Sequence, residues 1–189
     1  GCVGCMLVIV ALWRLADFDL KHLTSDQFTL PNGISGTIWL PTGQVKAGVI
    51  LVHGDGPQDR TSSDGYAPLI NLLTQEGIAV ASWDKAGVGA SAGDWLDQSM
   101  GDRAAVAEAA LGLLSRRLSD SPLGVLGFSQ AGWVVPRINS EVMEFIVLVG
   151  PAVSWQHQGT YYTRKRLERL GRTPEQIDQE LSAEVRRNA

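Results

Sequence analysis

The stretch LGVLGFSQAGWVVP, residues 123–136, sets a serine among small residues. Ser129 has Gly127 two positions before it and Ala131 two after, with Gly132 next. A serine hydroxyl attacks an acyl carbon only when a base takes its proton and N–H donors receive the developing oxyanion. A sharp strand-to-helix turn exposes the hydroxyl and aims the first helical N–H groups at the same spot. The strained backbone of such a turn demands small neighbours on both sides, and Gly127 and Ala131 meet that demand. The pattern is G-x-S-x-A-G rather than G-x-S-x-G, a mild departure because alanine is still small. Many glycine-flanked serines are ordinary turns, so a second feature is needed. LVHGDGPQDR, residues 51–60, supplies it: a His-Gly turn after an apolar run can present another backbone N–H to an oxyanion. A P-loop is excluded, because no Gly-Lys-Ser/Thr follows.

The elements that must position these residues follow from the apolar pattern. Phe28–Leu30 and Ile34–Leu40 read as strands around the Pro31-Asn32-Gly33 turn, a hairpin on the sheet edge. Val49–Val52, Ile78–Trp83, Leu123–Phe128 and Phe145–Val149 are short runs apolar on both faces, expected as central parallel strands. Between them Tyr66–Glu76, Asp102–Leu118 and Gln130–Asn139 read as helices, the last kinked at Pro136. Strands alternating with helices predict a parallel α/β sheet covered on both faces. From Gln158 onward two polar helices are expected, Tyr161–Leu170 and Pro174–Arg187. Arg164-Lys165-Arg166, with Glu168 after it, reads as a solvated helix face.

At this point the chain resembles the N-terminal portion of an α/β-hydrolase, of the serine-hydrolase group that includes esterases and serine aminopeptidase-like enzymes. Three stretches carry the resemblance, in the order that group uses: HGDGPQDR (53–60), WDKAGVGAS (83–91) and GFSQAGWVVP (127–136). It implies an α/β-hydrolase fold, a mostly parallel sheet with helices on both faces, truncated here before the last strands. It implies a serine hydrolase that cleaves a carboxylic ester, thioester or amide through an acyl-enzyme on Ser129. By the resemblance the backbone N–H of Gln130 forms one side of the oxyanion hole, and that of Asp55 or Gly54 the other. A carboxylate at Asp55 opposes a developing oxyanion unless its side chain turns away. His53 matches a structural histidine of the loop, not the base. Asp84 and Lys85 are expected to fix the 87–93 loop rather than touch substrate. The order Ser, acid, His puts acid and base after Ser129. Only His157 follows as a histidine, and Glu141 and Glu144 precede a strand at the end opposite the serine. No complete triad is legible, and the missing members are expected beyond residue 189.

The organisation expected is a remnant of a signal or membrane anchor at 1–15, an α/β-hydrolase core at 16–157 and the start of a helical cap at 158–189. The uncharged stretch Cys2–Trp13 is shorter than the roughly 20 residues a membrane span needs. Membrane anchoring or export is the expectation from it, with a cytoplasmic protein as the alternative. Cys2 and Cys5 form a lone C-x-x-C with no second pair, so neither redox chemistry nor a metal site is inferred. Residues 87–93 lack the G-x-G-x-x-G spacing of a dinucleotide loop. No cofactor and no metal are expected. The net charge of −4 and the absence of a long basic run argue against a nucleic-acid partner. The partner implied is a small-molecule or peptide acyl substrate, with a membrane contact possible through the N-terminus. The competing reading is a non-catalytic, membrane-tethered binding or scaffold protein that keeps the fold.

Overall fold

The computed structural model describes residues 17–118, 120–151 and 153–187. Cys2, Cys5 and the whole 1–15 stretch lie outside them. The apolar runs become one six-stranded sheet: β1 (Thr24–Thr29), β2 (Ser35–Leu40), β3 (Ala47–Val52), β4 (Ile78–Trp83), β5 (Leu123–Phe128) and β6 (Met143–Val149). Their spatial order is β1-β2-β4-β3-β5-β6. β1 and β2 form the expected antiparallel hairpin, and β2 runs antiparallel to β4. The pairs β3–β4, β3–β5 and β5–β6 are parallel. The helices are α1 (Ala67–Gln75), α2 (Met100–Arg117), α3 (Ala131–Val134), α4 (Trp155–Arg169) and α5 (Pro174–Arg187).

Side chains of a strand alternate between faces, and β3 divides its apolar residues accordingly. Ile50 and Val52 join Ala104, Ala107, Leu111 and Leu114 of α2 and Val134 of α3 in one buried cluster. Val49 and Leu51 join Ile70 of α1, Tyr66 and Leu126 in the other. Both faces are therefore covered, which is why these runs carry no polar alternation. α2 starts at Met100, ahead of the expected Asp102. Ser99 and Asp102 form a capping box in which Ser99 Oγ accepts the Asp102 N–H at 3.1 Å and Asp102 Oδ2 accepts the Ser99 N–H at 2.9 Å.

Three expectations need correction. β6 begins at Met143, two residues before the expected Phe145, and among the described residues it pairs with β5. Ile146, Val147 and Val149 are each about half exposed. The expected helix 130–139 is one α-turn, Ala131–Val134, that passes into a 3₁₀ turn at Val135–Arg137. Pro136 has no N–H to continue the ladder and its ring clashes with the preceding turn, so it ends this helix rather than kinking it. α4 begins at Trp155, before the expected Tyr161, because the Ser154 Oγ accepts the His157 N–H and caps the first turn.

α4 and α5 pack on each other through a small cluster of their own, Leu167, Ile177 and Leu181. In the basic run, Arg164 pairs with Asp178 at 2.9 Å and Lys165 with Glu168 at 2.8 Å, all four side chains largely exposed. Among the described residues no helix is long and apolar enough to cross a membrane.

Candidate active site

β5 delivers Ser129 to the carboxyl end of the sheet. Its φ is 49°, in the left-handed region that a residue with a Cβ rarely adopts. Two bonds over-determine that conformation. The Ser129 N–H donates to the Val149 carbonyl of β6 at 3.0 Å, and the Ser129 carbonyl accepts the Gly132 N–H at 3.0 Å. The residue is exposed. Behind it the Phe128 ring stacks on Tyr66, centroids 4.8 Å apart.

Gly127 and Ala131 are small because they face each other under this turn. A Cβ on Gly127 would lie 2.9 Å from the Ala131 Cβ and 2.9 Å from Leu148 Cδ2. Gly127→Ala is expected to cost about 1–3 kcal/mol of stability through overpacking. Urea unfolding measures this, and an unchanged midpoint would contradict it.

The loop after β3 lies against the serine turn: a Cβ on Gly54 would stand 3.4 Å from Ser129 Cβ and from the Phe128 carbonyl oxygen. Its carbonyls are drawn away by two cations. Lys85 Nζ donates to the carbonyls of Gly54 and Gly56, each at 2.6 Å. Arg103 Nη2 donates to those of His53 at 2.7 Å and Gly54 at 3.3 Å. Gln58 Nε2 donates to the Asp55 carbonyl at 2.7 Å. In a trans peptide the N–H opposes the C=O, so the Asp55 N–H points away from Lys85 and Arg103. Neither the Asp55 nor the Gln130 N–H forms a backbone hydrogen bond to another described residue. The Asp55 carboxylate does not turn clear of the site. Its Oδ1 accepts from Gln130 Nε2 at 3.0 Å, and Gln130 Oε1 accepts from Arg103 Nη1.

Asp84 and Lys85 are both buried, at 3% exposure. Asp84 accepts from the Arg60 N–H (2.8 Å), Arg60 Nε (3.0 Å), Arg60 Nη2 (2.7 Å) and the Ala90 N–H (2.9 Å). It therefore ties the 53–60 loop to the 87–91 turn. Burial, reinforced by the charge of Arg103, pulls the Lys85 ammonium down to about 7.

His53 is buried between the loop and β4. Its Nε2–H donates to the Trp83 carbonyl at 2.6 Å, and its Nδ1 faces the Tyr66 hydroxyl at 3.4 Å. The ring stacks on Tyr66, 5.5 Å between centroids and 9° between planes. Burial depresses its pKa from 6.5 to about 4. The folded state then binds fewer protons than the unfolded state between those values, so stability falls as pH drops through that window. The loss by pH 4 is expected to be about 3 kcal/mol. Urea unfolding at pH 7 and pH 4 should show that much extra acid loss in the native protein over His53→Asn; equal losses would refute it.

An open cleft of about 530 Å³ brings Asp55, Ser129, Gln130 and Trp133 of the sheet domain together with Gln158, Gly159, Tyr162, Thr163 and Arg166 of α4. Gly54 and His53 support it from behind and do not line it. His157 is exposed and does not line it either. Glu144 lies near the start of β6, whose pairing runs from Leu123–Met143 to Phe128–Val149, so it sits at the end away from Ser129. Among the described residues no group of three or more His, Cys, Asp or Glu side chains is placed to hold a metal ion. Sequence reasoning missed Arg103. A signal existed: it is a cation in the first turn of a helix, where the macrodipole disfavours positive charge, so another partner had to hold it there.

This sheet order with a serine at the β5 turn can be set beside known proteins. The profile of the family described as serine aminopeptidase, S33, matches residues 43–186. The chain belongs to this hydrolase family. No curated protein matches the chain. Among solved structures, a thermostable carboxyl esterase from Bacillus coagulans aligns with TM-score 0.58 at 21% identity, over 78% of this chain and 50% of its own. A Pyrococcus furiosus esterase aligns with TM-score 0.58 at 22% identity, over 76% and 56%. A lidless α/β serine hydrolase from Xanthomonas campestris aligns with TM-score 0.56 at 18% identity, over 72% and 65%. At these identities the likeness shows the α/β-hydrolase fold. The chain spans about half to two thirds of the length of these solved relatives.

Proposed function

We propose that this hydrolase cleaves a carboxylic ester, thioester or amide through an acyl-enzyme on Ser129. One observation carries the reading: an exposed serine held at φ 49° on a β5 turn, facing a cleft shared with the 53–56 loop. Ser129 Oγ attacks the acyl carbon, and the carbonyl oxygen becomes an oxyanion. The backbone N–H groups of Gln130 and Asp55 receive that charge. Asp55 is preferred to Gly54 because it lines the cleft and because two cations hold the carbonyl that precedes its N–H. His53 orders the loop through Trp83 and Tyr66; its Nε2 proton is committed to a carbonyl, so it is not the base. The acid and the base come from chain beyond residue 189, a reading supported by the partial coverage of the solved relatives. α4 and α5 begin a cap that limits what reaches Ser129.

The test labels the full-length protein and residues 1–189 with a serine-directed phosphonate, and assays both on a short-chain ester, each beside Ser129→Ala. Labelling and turnover by the full-length protein alone, lost in Ser129→Ala, support the reading. A well-folded full-length protein that takes no label favours the scaffold alternative. Strong Ser129-dependent turnover by residues 1–189 would mean that the base lies within them, with His157 the first residue to replace.

A further inference from the structure

The oxyanion loop carries a contradiction. Asp55 offers its N–H to the developing negative charge while its own carboxylate lines the same cleft. An uncontrolled carboxylate there would oppose the transition state. The side chain is not left free. Gln130 Nε2 holds Asp55 Oδ1 at 3.0 Å, and Gln130 can point its amide that way because its Oε1 is taken by Arg103 Nη1. The other arm of the same guanidinium grips the His53 and Gly54 carbonyls at 2.7 and 3.3 Å. One side chain, rooted in the first turn of α2, thus touches both halves of the proposed oxyanion hole.

Resting on the reading of Ser129 given above, we propose that Arg103 is a positioning residue for catalysis. Its Nη2 arm sets the peptide planes of the 53–55 loop, and its Nη1 arm, through the Gln130 side chain, ties down the Asp55 carboxylate and offsets its charge beside the oxyanion. Its partners fit this task. Two carbonyls and an amide oxygen accept from it, and no carboxylate pairs with it directly among the described residues. The planar fork serves both arms at once, which an ammonium on a flexible stem does not. Lys85 bears on the Gly54 and Gly56 carbonyls only, so it shares the first task and not the second.

The two tasks separate in a double-mutant cycle on the full-length protein, with kcat and KM measured on a short-chain ester and competent serines counted by phosphonate labelling. Arg103→Met is expected to lower kcat per labelled serine by about 100-fold, with KM within about threefold of native. Asp55→Asn should then recover about tenfold in the Arg103→Met background, and gain less, or lose, in the native one. A purely structural role of Arg103 produces no such dependence on the charge at position 55. Gln130→Met breaks the relay without replacing the half-buried arginine, so it serves if Arg103→Met does not fold; its deficit too should shrink with Asp55→Asn. Arg103→Lys should fall between native and Arg103→Met. Equal effects of Asp55→Asn in the native, Arg103→Met and Gln130→Met backgrounds overturn the relay. A native kcat in folded Arg103→Met overturns the whole inference. Both outcomes differ from failure of the underlying reading, in which Ser129→Ala itself stays active.

Discussion

Replacing Ser129 with alanine is expected to lower kcat/KM of the full-length protein on a short-chain ester by at least about 10⁴-fold. The substitution removes the oxygen that bonds to the acyl carbon and leaves the turn intact, because alanine fits wherever serine does. KM should change little, since the cleft walls from Asp55 to Arg166 are untouched. The other hydroxyls that line the cleft, Tyr162 and Thr163, come from α4 and not from the turn beside the 53–56 loop. Neither is carried on the strained β5 turn, so neither should substitute for Ser129. Activity within tenfold of native in a folded Ser129→Ala protein would move the chemistry elsewhere in the cleft. Loss of phosphonate labelling in the same variant separates loss of the nucleophile from loss of the fold.

What the sequence made legible divides along a physical line. β4 and β5 are read residue for residue, because runs buried on both faces are almost wholly apolar, Ser82 being the one polar position in either. The serine turn is legible because strain leaves a local mark: a small residue on each side of a position with positive φ. Long-range partners leave no such mark. The first-turn position of Arg103 signals that something holds it, but not that its guanidinium reaches His53, Gly54 and Gln130, as these meet only when α2 packs on the sheet. The Asp55 carboxylate shows both sides: its conflict with an oxyanion is visible in the sequence, its restraint by Gln130 only in three dimensions.

Asp84→Ala is expected to cost about 3–5 kcal/mol of stability, the range for removing one partner of a buried ion pair. Asp84 accepts four hydrogen bonds, three from Arg60 and one from the Ala90 N–H, at a side-chain exposure of only 4%. Burial works against its charge, but hydrogen bonds from Arg60 and Ala90 outweigh it and hold the carboxyl below its ordinary value. That contribution is present above the unfolded-state pKa and is lost as pH falls through the folded one. Alanine leaves the Arg60 guanidinium half-buried with only Gln27 Oε1 and Thr37 Oγ1 of the β1–β2 hairpin to receive it. It also orphans the Arg60 and Ala90 N–H groups. Asp84→Asn retains one acceptor oxygen but points an NH₂ at donors, so it should cost most of the same amount. Urea unfolding at pH 7 measures both. The damage should reach the chemistry as well, because Lys85, the next residue, holds the Gly54 and Gly56 carbonyls from the strand end that Asp84 anchors. In conditions where Asp84→Asn remains folded, its kcat per labelled serine should therefore fall while KM holds. A variant that unfolds as native protein does would show that the ion pair is dispensable. One that is destabilised yet turns over at the native rate would show that the strand end and the 53–56 loop are mechanically separate.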